Sequence, residues 1–204
     1  MSEKDARRTC PNLQNFRYGR VPDYARVFGK VDSNHYDYDR DHIANWAFFE
    51  APDHETLVTL FEIPEEEYEA LVAREMDYHL KSIKFIELET GTVGQGIACC
   101  AFKNNSDFLA HLEKEPLQNK LYKARYHDKY RGDVWRDDLL PCNKYLAFVL
   151  SIANNINDKY IQNILDQSYL GDRKTKVREY LAKEYKNLEF IKDLNWLGSH
   201  LKAD

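Results

Sequence analysis

The strongest pattern of apolar and polar positions lies between Thr56 and Lys81, TLVTLFEIPEEEYEALVAREMDYHLK. Leu57, Val58, Leu60, Phe61 and Ile63 supply the branched and aromatic side chains of a strand over Leu57 to Ile63. Pro64 follows, with the fixed φ and missing N–H that suit a helix start, and Glu65, Glu66 and Glu67 stand where the helix dipole favours negative charge. The spacing predicts a helix over Glu65 to Asp77. On it Tyr68, Leu71, Val72 and Glu75 fall at i, i+3, i+4 and i+7, so Glu75 sits at the edge of the core-facing stripe. Leu80 to Leu88 then alternates apolar and polar as a half-buried strand does.

Upstream, Met1 to Arg20 is polar and weakly periodic, which reads as a loop or short helix. Tyr24 to Val31 (YARVFGKV) reads as a strand, Ser33 to His42 as a loop, Ile43 to Phe49 as a second strand, and Ala51-Pro52-Asp53 as a turn. Downstream, Gly91 to Gly96 predicts a glycine-rich hairpin turn into a strand over Ile97 to Phe102. From Asn104 to Leu140 the leucines and the ladder Tyr122, Tyr126, Tyr130 are at helical spacing, so this stretch holds one or two helices. Pro141 to Ala153 reads as a buried helix with Tyr145, Phe148, Val149 and Ile152 on one face. Lys159 to Gln167 reads as another, and Val177, Leu181, Tyr185, Leu188 and Ile191 mark an amphipathic C-terminal helix over about 172–194. Five strands followed by helices give an α+β class with a small, largely antiparallel sheet or barrel. The expectation is one domain over 1–204, with a helical insertion at about 104–140.

Composition narrows the classes. With 204 residues, 43% of them hydrophobic, the chain can bury a full core. A formal charge of −5 argues against a dedicated nucleic-acid or anionic-membrane binder. Lys120, Lys123, Arg125, Lys129 and Arg131 interleave with the tyrosine ladder, a pattern that suits RNA or a phosphorylated partner. With acidic residues close by, a solvated helix face is the preferred account. No run is long and apolar enough to span a bilayer and the first residues are charged, so the expectation is a cytoplasmic protein.

The four cysteines form neither a CxxC pattern nor a disulfide framework and are expected reduced, with Cys142, beside a helix start, the most reactive. His35, His42 and His54 with Asp37, Asp39 and Asp41 match no metal-binding spacing, so no metal is expected. GTVGQG lacks a Walker lysine and leads into a strand, and no GxSxG is present.

Two readings of Glu75 stand side by side. A carboxylate held at the edge of a core sheds hydration and becomes a better proton acceptor than a solvated one. A helix-end glutamate paired with Arg74, Lys81 or a backbone amide is the commoner, structural case.

The order of these motifs resembles that of the gamma-glutamylcyclotransferase-like proteins. TLFEIPEEEYEALVAREMDYHLKSIKF is similar to the family's strand, Pro-Glu-Glu helix, and Arg-Glu or Gln-Glu ahead of an aromatic and a strand. LPCNKYLAFVLSIANNINDKYIQNILDQ is similar to its Pro-Ser-x-x-Tyr helix, polar turn and following helix, with Pro141 and Tyr145 at the motif positions. Ala25 to Val31 is similar to its Ala-Arg-Leu/Val strand.

The resemblance covers roughly 24–102 and 141–167. It implies a small barrel with flanking helices, no cofactor, Glu75 as catalytic acid and base, Tyr145 and Tyr78 as pocket residues, and a small-molecule γ-glutamyl substrate such as glutathione that is cyclised to 5-oxoproline. The family's Tyr-Gly-Ser-Asn loop has no counterpart, because Tyr18-Gly19 is followed by Arg20-Val21. The alternative is therefore a non-catalytic relative acting as a binding or regulatory module. For the 104–140 insertion three roles are open: a lid, a filler for the missing strand, or a surface for a protein partner.

Overall fold

The computed structural model describes residues 2–32, 42–126, 130, 132–184, 194 and 196–201. A short helix, α1 (Glu3–Thr9), capped by the Ser2 side chain, leads into β1 (Gln14–Val31). This strand runs antiparallel to β2 (His42–Glu62) over most of its length. After β2 come a 3-10 turn (Glu65–Glu67) and α2 (Tyr68–Arg74), then the hairpin of β3 (His79–Glu87) and β4 (Val93–Cys100). The insertion holds α3 (Asn105–Lys114) and α4 (Pro116–Tyr126). The chain continues through β5 (Leu140–Pro141), α5 (Asn143–Ile156), α6 (Asp158–Asp166), β6 (Ser168–Leu170), α7 (Val177–Glu184) and α8 (Leu197–His200).

The strands form one mixed sheet in the order β5-β2-β4-β3-β1-β6, and β1 also pairs with β2, so the pairings return on themselves. The long ladders are antiparallel, whereas β2–β4, β2–β5 and β1–β6 are short and parallel. The chain is thus α+β, a mixed sheet with flanking helices, as its sequence implies.

Several boundaries differ from the sequence reading. Residues from Gln14 to Arg20, expected as loop or short helix, are strand, because β1 continues without a break through the Tyr18-Gly19 step. The two strands expected at Ile43–Phe49 and Leu57–Ile63 are one. Ala51-Pro52-Asp53 is a bend inside β2, set opposite a second Pro-Asp bend at Pro22-Asp23 in β1. Proline cannot donate to a ladder, and Asp23 and Asp53 take positive φ values of 60° and 65°, so both strands bend at the same place. The Asp53 N–H donates to Asp23 Oδ1 at 3.3 Å, joining the bends.

The hairpin turn is also shorter than the glycine pattern suggests. Gly91, at φ +71°, is in the turn, but Gly94 and Gly96 are inside β4, where their bare backbone makes room for the Phe85 ring. The helix expected over Glu65 to Asp77 ends at Arg74. None of its residues is fully buried, and Tyr68 is 43% exposed rather than core-facing. The expected loop at Ser33–His42 falls almost entirely outside the described residues. So does the C-terminal helix beyond Glu184, apart from Leu194.

The main core lies between the sheet and α5, α6 and α7. Phe28, Val31, Ile43 and Leu57 meet Leu146, Leu150, Ile161, Leu165 and Leu181 there. A second core joins the insertion to the strands through Met76, Phe102, Phe108, Tyr126 and Trp135. The two are stitched where the chain returns from the insertion: Arg136 N–H donates to Gly29 O at 3.0 Å, and Gly171 packs against the same backbone. A Cβ at Gly171 would lie 2.9 Å from the carbonyl oxygens of Arg136 and Asp137. Gly171→Ala is therefore expected to destabilise the fold by about 1–3 kcal/mol, read as a lowered midpoint in chemical denaturation.

Candidate functional site

From Ala25 to Val31 every residue of β1 is buried, on both faces of the strand. Arg26 and Phe28 share one face of the strand, a bulge between Phe28 and Lys30 shifts the register, and Lys30 is buried as well, so two cations enter the interior. Lys30 is matched: its Nζ lies 3.0 Å from Asp77 Oδ2 and 4.7 Å from the Tyr78 ring centre. Asp77, 1% exposed, also accepts a hydrogen bond from the Tyr126 hydroxyl and has Arg125 Nη1 at 3.5 Å. Burial pushes its carboxyl up, but Lys30, the Tyr126 hydroxyl and Arg125 together hold it below the usual carboxylate range.

Three side chains of the insertion thus converge on the segment that follows α2. Trp135 Nε1 donates to Asp77 O at 3.0 Å, and Arg125 donates to Arg74 O at 2.9 Å and Ala73 O at 3.3 Å, closing the C-terminal end of α2. Lys120 and Lys123 are exposed, as the solvated helix face expected for these basic residues implies, and Lys129 and Arg131 lie outside the described residues. Arg125 departs from that reading and serves the fold, and Tyr126 of the ladder is fully buried.

The segment held this way carries Glu75, the C-cap of α2, whose N–H donates to Leu71 O at 2.9 Å. Its half-buried carboxylate accepts from Arg74 Nε at 2.8 Å, so the structural pairing anticipated for a helix-end glutamate is present. The same residue lines a cavity of about 410 Å³ together with Arg26, Trp46, Tyr78, Cys99 and Tyr145. Phe148 and Ile97, 41% and 50% exposed, also line it and mark where it opens to solvent.

Tyr145, Phe148, Val149 and Ile152, expected on one face of a buried helix, share a face of α5, and that face borders the cavity. Leu146, Leu150 and Ala153 supply the core face. Burial, with Glu75 close by, pushes the Tyr145 hydroxyl well above its ordinary value. Burial and Asp77 do the same for Tyr78. Both hydroxyls stay protonated at neutral pH and are available as donors. The Cys99 thiol is pushed up by burial and by Glu75, which keeps it neutral and weakly nucleophilic.

Glu75, Tyr78 and Tyr145 therefore border one space, whereas Arg26, Asp77 and Cys99 were not singled out from sequence. Arg26 and Lys30 carried a usable signal, since a charged residue inside an otherwise apolar strand run must find a partner or a ligand. Tyr18-Gly19 does not form a loop at this cavity. Gly19 pairs with Val58 and Glu87 in mid-strand, and Leu60 occupies the space a side chain there would need.

Cys142, expected to be the most reactive cysteine, is 3% exposed and its thiol is pushed up by burial. All four cysteines are free. His54 hydrogen-bonds the Tyr169 hydroxyl at 2.7 Å and Pro52 O at 3.0 Å, while His35, Asp37, Asp39 and Asp41 lie outside the described residues. No helix among the described residues is long and apolar enough to cross a membrane.

No family model matches the chain, and no curated protein matches it. Among solved structures it is similar to a gamma-glutamyl cyclotransferase at 17% identity, over 64% of this chain and 85% of that one, with a TM-score of 0.37. It is also similar to an uncharacterized protein from Homo sapiens at 16% identity, over 63% of this chain and 84% of that one, with a TM-score of 0.35. A protein from Arabidopsis thaliana solved in solution is similar at 11% identity, over 64% and 88%, with a TM-score of 0.37.

Asp77 generates a pH test. Its carboxyl is held low in the folded state, so its contribution is fully present above the unfolded value near 3.9 and is lost as pH falls through the folded value. Asp77→Asn is expected to cost about 3–5 kcal/mol at pH 7, since Lys30 would be left buried and unpaired. Urea denaturation at pH 7, 5 and 3 should show a stability loss below pH 4 in the parent chain that is smaller in the variant.

Proposed function

We propose that this chain is a gamma-glutamylcyclotransferase-like enzyme, closing a γ-glutamyl group into 5-oxoproline and releasing the attached amine or amino acid. In this proposal the cycle of strand pairings is the family's small barrel, with the cavity at its side. The observation that carries the reading is the Glu75 carboxylate lining an open cavity that two protonated tyrosines also line.

The chemistry fits these groups. The substrate's α-amine loses a proton to Glu75, its lone pair attacks the γ-carbonyl carbon, and a ring C–N bond forms while the π pair moves to oxygen. Tyr78 or Tyr145 donates a hydrogen bond to that oxyanion. The carbonyl then re-forms, the bond to the leaving nitrogen breaks, and Glu75 passes a proton to that nitrogen. Over the whole reaction the α-ammonium gives up two protons, one to solvent before attack and one through Glu75, and the departing amine gains two, one from Glu75 and one from solvent, so the carboxylate ends as it began. Cyclisation is intramolecular, and a cavity that keeps the substrate folded supplies much of the acceleration.

A second reading has an observation of its own. Because β1 runs unbroken through Tyr18-Gly19, the loop expected to hold the γ-glutamyl part is absent among the described residues, which favours a binding module using the same cavity.

Release of 5-oxoproline from glutathione, γ-glutamyl amino acids and γ-glutamyl amines separates the two. Glu75→Gln is expected to lower release by about 10²–10⁴-fold with an unchanged melting temperature, because the amide oxygen still accepts from Arg74. Full activity in that variant would remove Glu75 from the mechanism. Absence of release from every compound by the parent chain would favour the binding module.

A further inference from the structure

We infer that Arg26 is a built anion site, and that the ligand of this cavity carries a free carboxylate which Arg26 and Tyr160 hold. The identity of the ligand as an α-amino acid end rests on the proposed cyclotransferase reading. The anion site itself rests on Arg26.

Arg26 is 5% exposed and lines the cavity. Among the described residues no carboxylate pairs with it, in contrast to Lys30 four residues on, which has Asp77. Two of its five N–H groups are used: Nη1 donates to Asn163 Oδ1 at 3.2 Å, and Nη2 donates to Leu57 O. The guanidinium carbon lies 4.9 Å from the Trp46 ring centre, which steadies the cation without neutralising it.

The acceptors that hold it are themselves fixed. Asn163 Oδ1 also accepts from Leu57 N–H at 2.9 Å, and its Nδ2 donates to Glu55 O at 2.8 Å, so α6, β1 and β2 lock the guanidinium in place. Burial lowers the Arg26 pKa to about 10, still cationic at neutral pH. A buried cation without a counter-charge is costly unless an anion arrives to answer it.

A second group points the same way. The Tyr160 hydroxyl is buried with no hydrogen-bond partner, its residue is 7% exposed, and it lines the same cavity. Arg26 and Tyr160 are close enough to influence each other's ionisation, and Tyr145 feels both Arg26 and Glu75. One cavity is thus lined by a cation, a hydroxyl donor and a carboxylate. That set complements a ligand bearing both a carboxylate and an amine, and on the cyclotransferase reading these are the α-carboxylate and α-amine of the γ-glutamyl group. Substrates are then γ-glutamyl compounds with a free α-carboxylate, and 4-aminobutyryl amides, which keep the amine but lack that carboxylate, are poor ones.

The test compares 5-oxoproline with its neutral amide, 5-oxoprolinamide, by titration calorimetry on the parent chain. Charge-assisted hydrogen bonds to a buried guanidinium predict that the acid binds about tenfold or more tightly than the amide. Arg26→Met should abolish the preference, and Glu75→Gln should keep it. Equal affinity for acid and amide, or binding of neither, overturns the inference, and the parent chain alone is enough to read either result.

Kinetics separate this failure from failure of the cyclotransferase reading. Preferential binding of the acid with no release of 5-oxoproline from any γ-glutamyl compound leaves the anion site standing and removes the enzyme. Equal cyclisation of γ-glutamyl and 4-aminobutyryl amides leaves the enzyme standing and removes the role of Arg26.

Discussion

Taking a charge out of water costs several kcal/mol unless another group answers it, and β1 buries two cations, Arg26 and Lys30. Lys30 is answered by Asp77, and much of the site follows from that pair. Asp77 lies two residues beyond Glu75, so the contact that neutralises Lys30 also sets where α2 stops and where the Glu75 carboxylate emerges. The Tyr126 hydroxyl and Arg125 join the same carboxylate, and Trp135 donates to the Asp77 backbone. The insertion is therefore scaffold at this point rather than ornament. It brings three side chains to the residue on which the cavity wall depends.

The cavity has a matching division of labour. Helix α5 gives Leu146, Leu150 and Ala153 to the core and Tyr145, Phe148, Val149 and Ile152 to the cavity, so one helix both anchors and lines. Helix α6 does the same, with Ile161 and Leu165 in the core and Tyr160 and Ile164 lining the cavity. Rigid elements with packed backs carry the polar groups, which is how a site keeps hydroxyls and a guanidinium at fixed positions while its mouth stays open.

Periodicity made the α+β class and most elements legible, because a strand or helix half-buried on one face writes its burial into its sequence. It failed where burial is two-sided or where a punctuating residue is absorbed. Pro52 and Asp53 read as a turn, yet a partner bend in β1 lets the ladder continue past them. Gly94 and Gly96 read as a turn, yet they give space to a ring on the neighbouring strand. The face of α2 read as core-facing, but the helix is one sided toward solvent at Tyr68 and makes its contribution through its end. Glu75, Tyr78 and Tyr145 were reachable from motif order. Asp77 and Tyr126 were not, since their pairing joins positions 49 apart and has no local signature.

The paired Pro-Asp bends make the two long strands a joint unit. Between the ladder halves β2 takes five steps, Glu50 to Glu55, where β1 takes two, Pro22 to Tyr24. One residue added to or removed from a single bend would slip the register there and turn the side chains beyond it in that strand to the other face, Arg26 for a change in β1 and Trp46 for a change in β2. Lineages of this chain are free to lengthen or shorten their surface loops, but along this ribbon they can lose or gain residues only by altering both strands together. A chimera joining β1 from one such chain to β2 from another inherits the cavity only when the two bends were drawn from the same parent.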